Sequence, residues 1–88
     1  MLLDAGVFAY TAGASDIAIG RIREGLAIAK SAGDPELLAR GLIDEGGVTL
    51  ASGDMESATR ALEEALAVAR RIGNGRQEAE ALLSLIHI

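Results

Sequence analysis

The chain of 88 residues contains no cysteine and no tryptophan, and its aromatic residues are limited to Phe8 and Tyr10. Without cysteine, neither a disulfide framework nor a thiolate metal site is available. The near absence of aromatic side chains leaves no large anchor for a wide globular core. The single proline, the many alanine and leucine residues and the weak strand signals instead favour closely packed helices.

Basic residues are also scarce, because 8 Lys and Arg oppose 13 Asp and Glu and give a formal net charge of −5. Nucleic acids and anionic membrane surfaces both attract clustered cations, so we expect neither as a partner. No apolar run is long enough for a membrane span, and no basic stretch followed by an apolar one indicates a signal peptide. The composition therefore favours a cytoplasmic location.

The segment from Gly53 to Gly73 carries the clearest helix signal. Asp54 can accept the free amide hydrogens of a first helical turn, and Gly73 can adopt the left-handed conformation that ends a helix. Apolar residues recur between them at steps of three and four, the period of one helical face. This face is mostly alanine and comprises Ala58, Ala61, Leu62, Ala65, Leu66, Ala69 and Ile72. We expect it to be buried against a closely approaching helix.

The sequence repeats itself at an offset of 40 residues without a gap. Twelve positions of the overlap are identical, whereas this composition gives about five by chance. The first members of the identical pairs are Leu2, Asp4, Gly6, Gly13, Ala18, Glu24, Leu26, Ala27, Ala29, Gly33, Ala39 and Leu42. The repeat predicts that Ala18 and Ala58 occupy equivalent buried positions.

Five helical segments are predicted, at about 1–12, 15–32 and 35–51, then the segment from Gly53 to Gly73, with the fifth starting near Gly75 or Arg76. Asp34 caps the third segment and Pro35 occupies its first position, where a missing amide costs little. Glu36 and Arg40 are expected to pair one turn apart. The inner face of the second segment is predicted to be Ala18, Ile22, Gly25, Leu26 and Ala29. Short glycine-containing links between the segments indicate antiparallel neighbours.

The spacing of Gly46, Gly53-Asp54, Ala58 and Ala65-Leu66 resembles the tetratricopeptide repeat. Upstream, the same pattern is carried by Gly6, Gly13, Ala18 and Gly25-Leu26. The aromatic positions of that family are mostly lost, and the period of 40 exceeds the common 34. The chain is thus similar to the longer-period variety found in large bacterial regulators and signal-transduction ATPases.

The resemblance implies an all-α fold of antiparallel helix-turn-helix repeats, forming a short right-handed α-solenoid. Residues 1–33 would be a first repeat, 34–73 a second and 74–82 the start of a third, as a fragment of a longer array. An array normally ends in polar capping helices. Because apolar residues fill both ends of this chain, we expect the isolated fragment to self-associate.

The last six residues, 83–88, depart from the repeat. Their sequence, Leu-Ser-Leu-Ile-His-Ile, can be encoded by CTG TCT CTT ATA CAC ATC, an end sequence of a transposon-based sequencing adapter. Our hypothesis is that this tail is non-native read-through on a metagenomic fragment. The source gene would then continue differently after Leu82.

No group of residues at suitable spacing predicts catalysis, a metal site or a cofactor site. His87 is the only histidine and has no partners at ligand spacing. The adjacent acids Glu63-Glu64 and Asp44-Glu45 point about 100° apart on a helix, which favours a solvated face. Gly73-Asn74-Gly75 lacks the preceding strand of a phosphate loop and is typical of a helix end. We therefore expect a protein that is not an enzyme.

The remaining candidate is a concave binding face. In the family that the chain resembles, the first helix of each pair lines the concave side. Carried over by position, this implies Leu3, Val7, Tyr10, Thr11, Arg40, Ile43, Gly47 and Leu50. These residues could instead pack the superhelix or be covered by further repeats. The expected function is a scaffold that binds a protein or peptide partner. The alternative is a regulatory or sensor segment of a multidomain bacterial transcription regulator, signal-transduction ATPase or cyclase.

Overall fold

A computed structural model describes the backbone from Leu2 to Ile88 and the side chains from Asp16 onwards. This part of the chain forms four α-helices and contains no strand. The helices are α1 (Leu2–Ala32), α2 (Pro35–Ala51), α3 (Met55–Ile72) and α4 (Gly75–Ile86). The predicted all-α class is confirmed, and the boundaries of α2, α3 and the start of α4 lie close to the positions predicted from the sequence.

The three links between helices share one local structure. Each contains a glycine with positive φ, between 64° and 91°, which closes the preceding helix. The next residue is an Asp or Asn whose side-chain oxygen accepts a hydrogen bond from the backbone N–H three residues later, at 3.0–3.1 Å. The pairs are Gly33-Asp34, Gly53-Asp54 and Gly73-Asn74. This combined stop and start signal defines α2, α3 and α4.

The prediction of separate helices at 1–12 and 15–32 is wrong, because α1 runs without interruption from Leu2 to Ala32. The repeat aligns Gly13 with Gly53, but Ala14 stands where the later link has Asp54. A methyl side chain cannot accept the amide hydrogens of a new first turn. Continuing the helix satisfies those amides instead, so the described chain has four helices rather than five.

Helix α2 is the central element of the fold. It packs against α1, α3 and α4, and α3 also packs against α4. Within the described residues, α1 contacts neither α3 nor α4. One cluster of the core joins all four helices and consists of Leu26, Ala39, Leu42, Ile43, Ala65, Val68 and Ala81.

The predicted inner faces are confirmed only in part, because Ile72 at the end of α3 is 37% exposed and the face of α1 is incompletely buried. Buried residues include Ala58, Leu62 and Ala65 in α3, and Leu26 and Ala29 in α1. The other members are less enclosed: Leu66, Ala18, Ile22 and Gly25 are half-buried. The expected equivalence of the two alanines therefore fails in burial. Residues 2–12 continue α1 instead of folding back on it, so α1 lacks the neighbour that α2 provides for α3.

Close packing of α2 on α3 depends on Gly46. A Cβ atom at this position would lie 2.5 Å from Cγ and 2.7 Å from Cδ2 of Leu62. Leu62 is 1% exposed and fills the space that the glycine leaves. A single glycine thus sets how closely α2 and α3 approach.

Candidate functional site: a groove between α2 and α4

The helices α2 and α4 lie side by side and begin at equivalent positions of the 40-residue repeat. Asp34 caps the first and Asn74 caps the second. The buried side chain of Gln77, in the first turn of α4, donates from Nε2 to the carbonyl oxygen of Glu36 at 2.9 Å. This bond connects the first turns of the two helices and aligns their N-terminal halves.

A groove with a volume of about 420 Å³ lies between these N-terminal halves. Six of its seven lining residues are polar, and the seventh is the exposed apolar residue Leu37. The lining residues are Asp34, Glu36, Leu37, Arg40, Asn74, Arg76 and Gln77. The groove is open and can accept an extended chain segment.

Two guanidinium groups surround one carboxylate beside the groove. Arg40 donates two hydrogen bonds to Glu80, from Nη1 to Oε2 at 3.0 Å and from Nη2 to Oε1 at 3.1 Å. Nε of Arg76 lies 3.5 Å from Oε1 of the same carboxylate, and the Arg76 side chain is 86% exposed. The expected pair of Glu36 with Arg40 is absent, because the Arg40 guanidinium makes its two hydrogen bonds to Glu80 on the neighbouring helix instead.

The ionisation of these groups follows from their contacts. Hydrogen bonding to Arg40 lowers the pKa of Glu80, and the same bond raises the pKa of Arg40. Asp44, one turn further along α2, has a raised pKa because partial burial removes water from its carboxylate, and Arg40 offsets only part of this effect. At neutral pH the Arg40 and Glu80 pair is charged, while Arg76 extends a second positive charge toward solvent.

The residues predicted for the concave face divide into four groups. Arg40 lines the groove, whereas Ile43 is 9% exposed and belongs to the buried core cluster. Gly47 is exposed and Leu50 is half-buried, and neither lines the groove. The side chains of the other predicted residues lie outside the described part of the chain: Leu3, Val7, Tyr10 and Thr11.

The contribution of α4 was missed by the sequence reasoning. Asn74, Arg76, Gln77 and Glu80 were not among the predicted site residues, yet they form one wall of the groove or its ion pairs. A signal for them exists in the repeat. At the offset of 40, Arg40 aligns with Glu80, so opposite charges occupy equivalent positions on neighbouring helices.

The groove can recognise a ligand through charge and hydrogen bonds.

Among the described side chains, no three His, Asp or Glu residues are grouped so that they could hold a metal ion. His87 lies at the far end of α4, where its Nδ1 is 2.6 Å from the carbonyl oxygen of Leu83. In the described part of the chain, no helix has the length and apolarity needed to cross a membrane.

The sequence matches no protein-family model, and no curated protein or solved structure matches it.

Proposed function

We propose that this chain is a protein-interaction module of the tetratricopeptide-repeat kind, which binds a peptide in the groove between α2 and α4. The pattern of helix contacts supports this proposal. In the described residues α2 and α4 contact each other, whereas α1 and α3 do not. An array of helical hairpins that curves with α2 and α4 on its inner side would have these contacts. Curved arrays of this kind use their concave surfaces for binding.

The observation that carries the proposal is the arrangement of Arg40, Glu80 and Arg76 at the groove. The Glu80 carboxylate neutralises one guanidinium, while Arg76 is held only at 3.5 Å and is mostly exposed. Arg76 can therefore donate to a carboxylate on a ligand without losing a strong bond. Leu37 offers an apolar contact in the same groove. These features fit an extended peptide with an acidic side chain next to an apolar one.

Selection from a random peptide library displayed on phage tests this function. Selected peptides are synthesised with a fluorophore, and their dissociation constants are measured by fluorescence anisotropy. We expect enrichment of acidic-apolar peptides, and we expect Arg76→Ala to weaken them about tenfold, because one charge-assisted hydrogen bond is lost.

The matched control is Arg60→Ala on α3. Arg60 is exposed, does not line this groove, and its loss changes the net charge by the same amount. Peptide affinity should be unchanged in this variant. A library that yields no binders, or binders equally sensitive to both substitutions, would rule out the groove as a peptide site.

A further inference from the structure

Helix α1 exposes an apolar face that its repeat equivalent, α3, buries. Ile28 is 63% exposed, whereas Val68, 40 residues later, is 5% exposed. Ile22 is half-buried, whereas Leu62 at the equivalent position is 1% exposed. Ile17, on the same helix, is 60% exposed. In α3 the side that carries Leu62 packs against α2 at Gly46, and among the described residues α1 has its contact with α2 but no second helix in the equivalent position.

The segment equivalent to α2 cannot cover this face from within the same chain. Residues 2–11 correspond to 42–51 of α2, but they continue α1 as one helix. Gly46 and Leu62 touch because the link at Gly53 reverses the chain. Their equivalents, Gly6 and Ile22, lie 16 residues apart on one helix, a separation of about 24 Å along its axis.

We propose that residues 2–11 of a second copy of this chain cover the exposed face of α1, and that the arrangement is reciprocal. The straight α1 then joins two such contacts in a domain-swapped dimer. Exchange of an identical element between protomers is a low-cost route to a two-fold dimer. The absence of a capping side chain at Ala14 favours the straight helix over a hairpin within one chain.

The sequence of residues 2–11 supports this occupant. Leu2, Asp4 and Gly6 are identical to Leu42, Asp44 and Gly46. Gly46 has no side chain, which leaves room for Leu62, and Gly6 is the glycine at the equivalent position. Ile22, at the position equivalent to Leu62, is also a branched aliphatic residue. The swapped contact would thus reproduce the α2–α3 contact that the chain already makes.

Disulfide trapping tests the swap directly, because the chain has no cysteine of its own. Gly6→Cys and Ile22→Cys are made as separate single variants, mixed, equilibrated and oxidised with oxidised glutathione. At the equivalent α2–α3 pair, a Cβ atom on Gly46 would lie 2.5 Å from Cγ of Leu62, which places two thiols within bonding reach. We expect a reducible dimer whose cross-linked peptides join position 6 of one chain to position 22 of the other.

The double variant Gly6→Cys/Ile22→Cys separates the alternatives. A reducible dimer supports the swap. A disulfide within a monomer would overturn it and show that the segment folds back on its own chain. Absence of any bond between these two positions in both experiments would also overturn it.

Sedimentation equilibrium gives a second measurement that does not depend on introduced thiols. The unmodified chain should reach twice the monomer mass. Ile17→Glu should raise the dimer dissociation constant at least about tenfold, since the antiparallel pairing of Gly6 with Ile22 places Ile17 opposite residue 11 and the substitution puts a charge in this contact. The matched control is Met55→Glu, because Met55 is also an exposed apolar residue, 55% accessible, at the start of α3. A monomeric chain, or equal effects of the two substitutions, would refute the proposal.

Discussion

Replacing Gly46 with alanine tests how closely α2 and α3 must approach. The added methyl group would lie 2.5 Å from Cγ of Leu62, so the side chain or the helices must shift. Overpacking of this kind typically costs about 1–3 kcal/mol. Alanine also favours a helix over glycine by about 1 kcal/mol, which offsets part of the cost. The raw change in stability therefore mixes two opposing effects.

The neighbouring glycine separates these effects. Gly47 is an exposed residue in the interior of the same helix. A Cβ atom added to Gly47 would have no neighbouring atom within 4 Å. Gly47→Ala should therefore be stabilising by about 1 kcal/mol, which reports helix propensity alone. The difference between Gly46→Ala and Gly47→Ala isolates the steric cost, which we expect to be about 1–3 kcal/mol.

Urea unfolding followed by far-ultraviolet circular dichroism measures both variants. A double variant, Gly46→Ala/Leu62→Ala, identifies the source of the cost, because removing the leucine makes room for the new methyl group. The double variant should then lose less stability than the sum of the two single variants, and this difference is a favourable coupling energy. If Gly46→Ala is as stable as Gly47→Ala, the helices do not approach as closely as described and the reasoning fails.

Three further predictions concern the core, the groove and the caps. Leu62→Ala should reduce the unfolding free energy by about 2–4 kcal/mol, because it empties a fully buried site; a loss near zero in urea unfolding would place this face of α3 in solvent. A double-mutant cycle on Arg40 and Glu80 should give a coupling of about 0.2–1 kcal/mol that decreases with added sodium chloride, since both side chains are partly exposed; a coupling insensitive to salt would contradict an ion pair. Hydrogen bonds from Ser57 lower the folded-state pKa of Asp54, so its contribution to stability is full above the unfolded pKa of about 4 and is lost as the pH falls through the lower folded pKa. Asp54→Asn keeps a capping oxygen but does not titrate, and should lose less stability on acidification than the parent chain; parallel acid profiles would show that this carboxylate is not linked to folding.

Helix boundaries were predictable where the chain carries both a stop and a start signal. Gly33-Asp34, Gly53-Asp54 and Gly73-Asn74 combine a residue that tolerates positive φ with a side chain that caps. At Gly13 the next residue is Ala14, which cannot cap, and the nearest capping side chain is one position later at Ser15. Glycine is also tolerated within a helix at a cost of about 1 kcal/mol. The repeat suggested a turn there, but the local hydrogen-bonding chemistry at Ala14 did not provide one.

The groove was less predictable than the helices, because it depends on which face of α4 meets α2. The resemblance to the tetratricopeptide repeat implied Arg40 as a candidate but also implied Ile43 on the same surface, although the core encloses Ile43. The partner of Arg40 is Glu80, which is distant in sequence and becomes adjacent only through the stacking of repeats. Equivalent positions of successive repeats lie next to each other in a stacked array. The opposite charges at the equivalent positions 40 and 80 therefore indicate this pair.

The central position of α2 has a consequence for native-state hydrogen exchange. Among the described residues α1 contacts only α2, whereas α2, α3 and α4 all contact one another. Within one protomer, detachment of α1 therefore breaks a single helix interface and leaves a three-helix unit intact. The amides of α1 can exchange through this subglobal opening, at a lower free energy than the global unfolding that exposes the amides of α2. The protection of individual amides would thus divide the molecule at the Gly33 link, into a separable helix and a cooperative remainder.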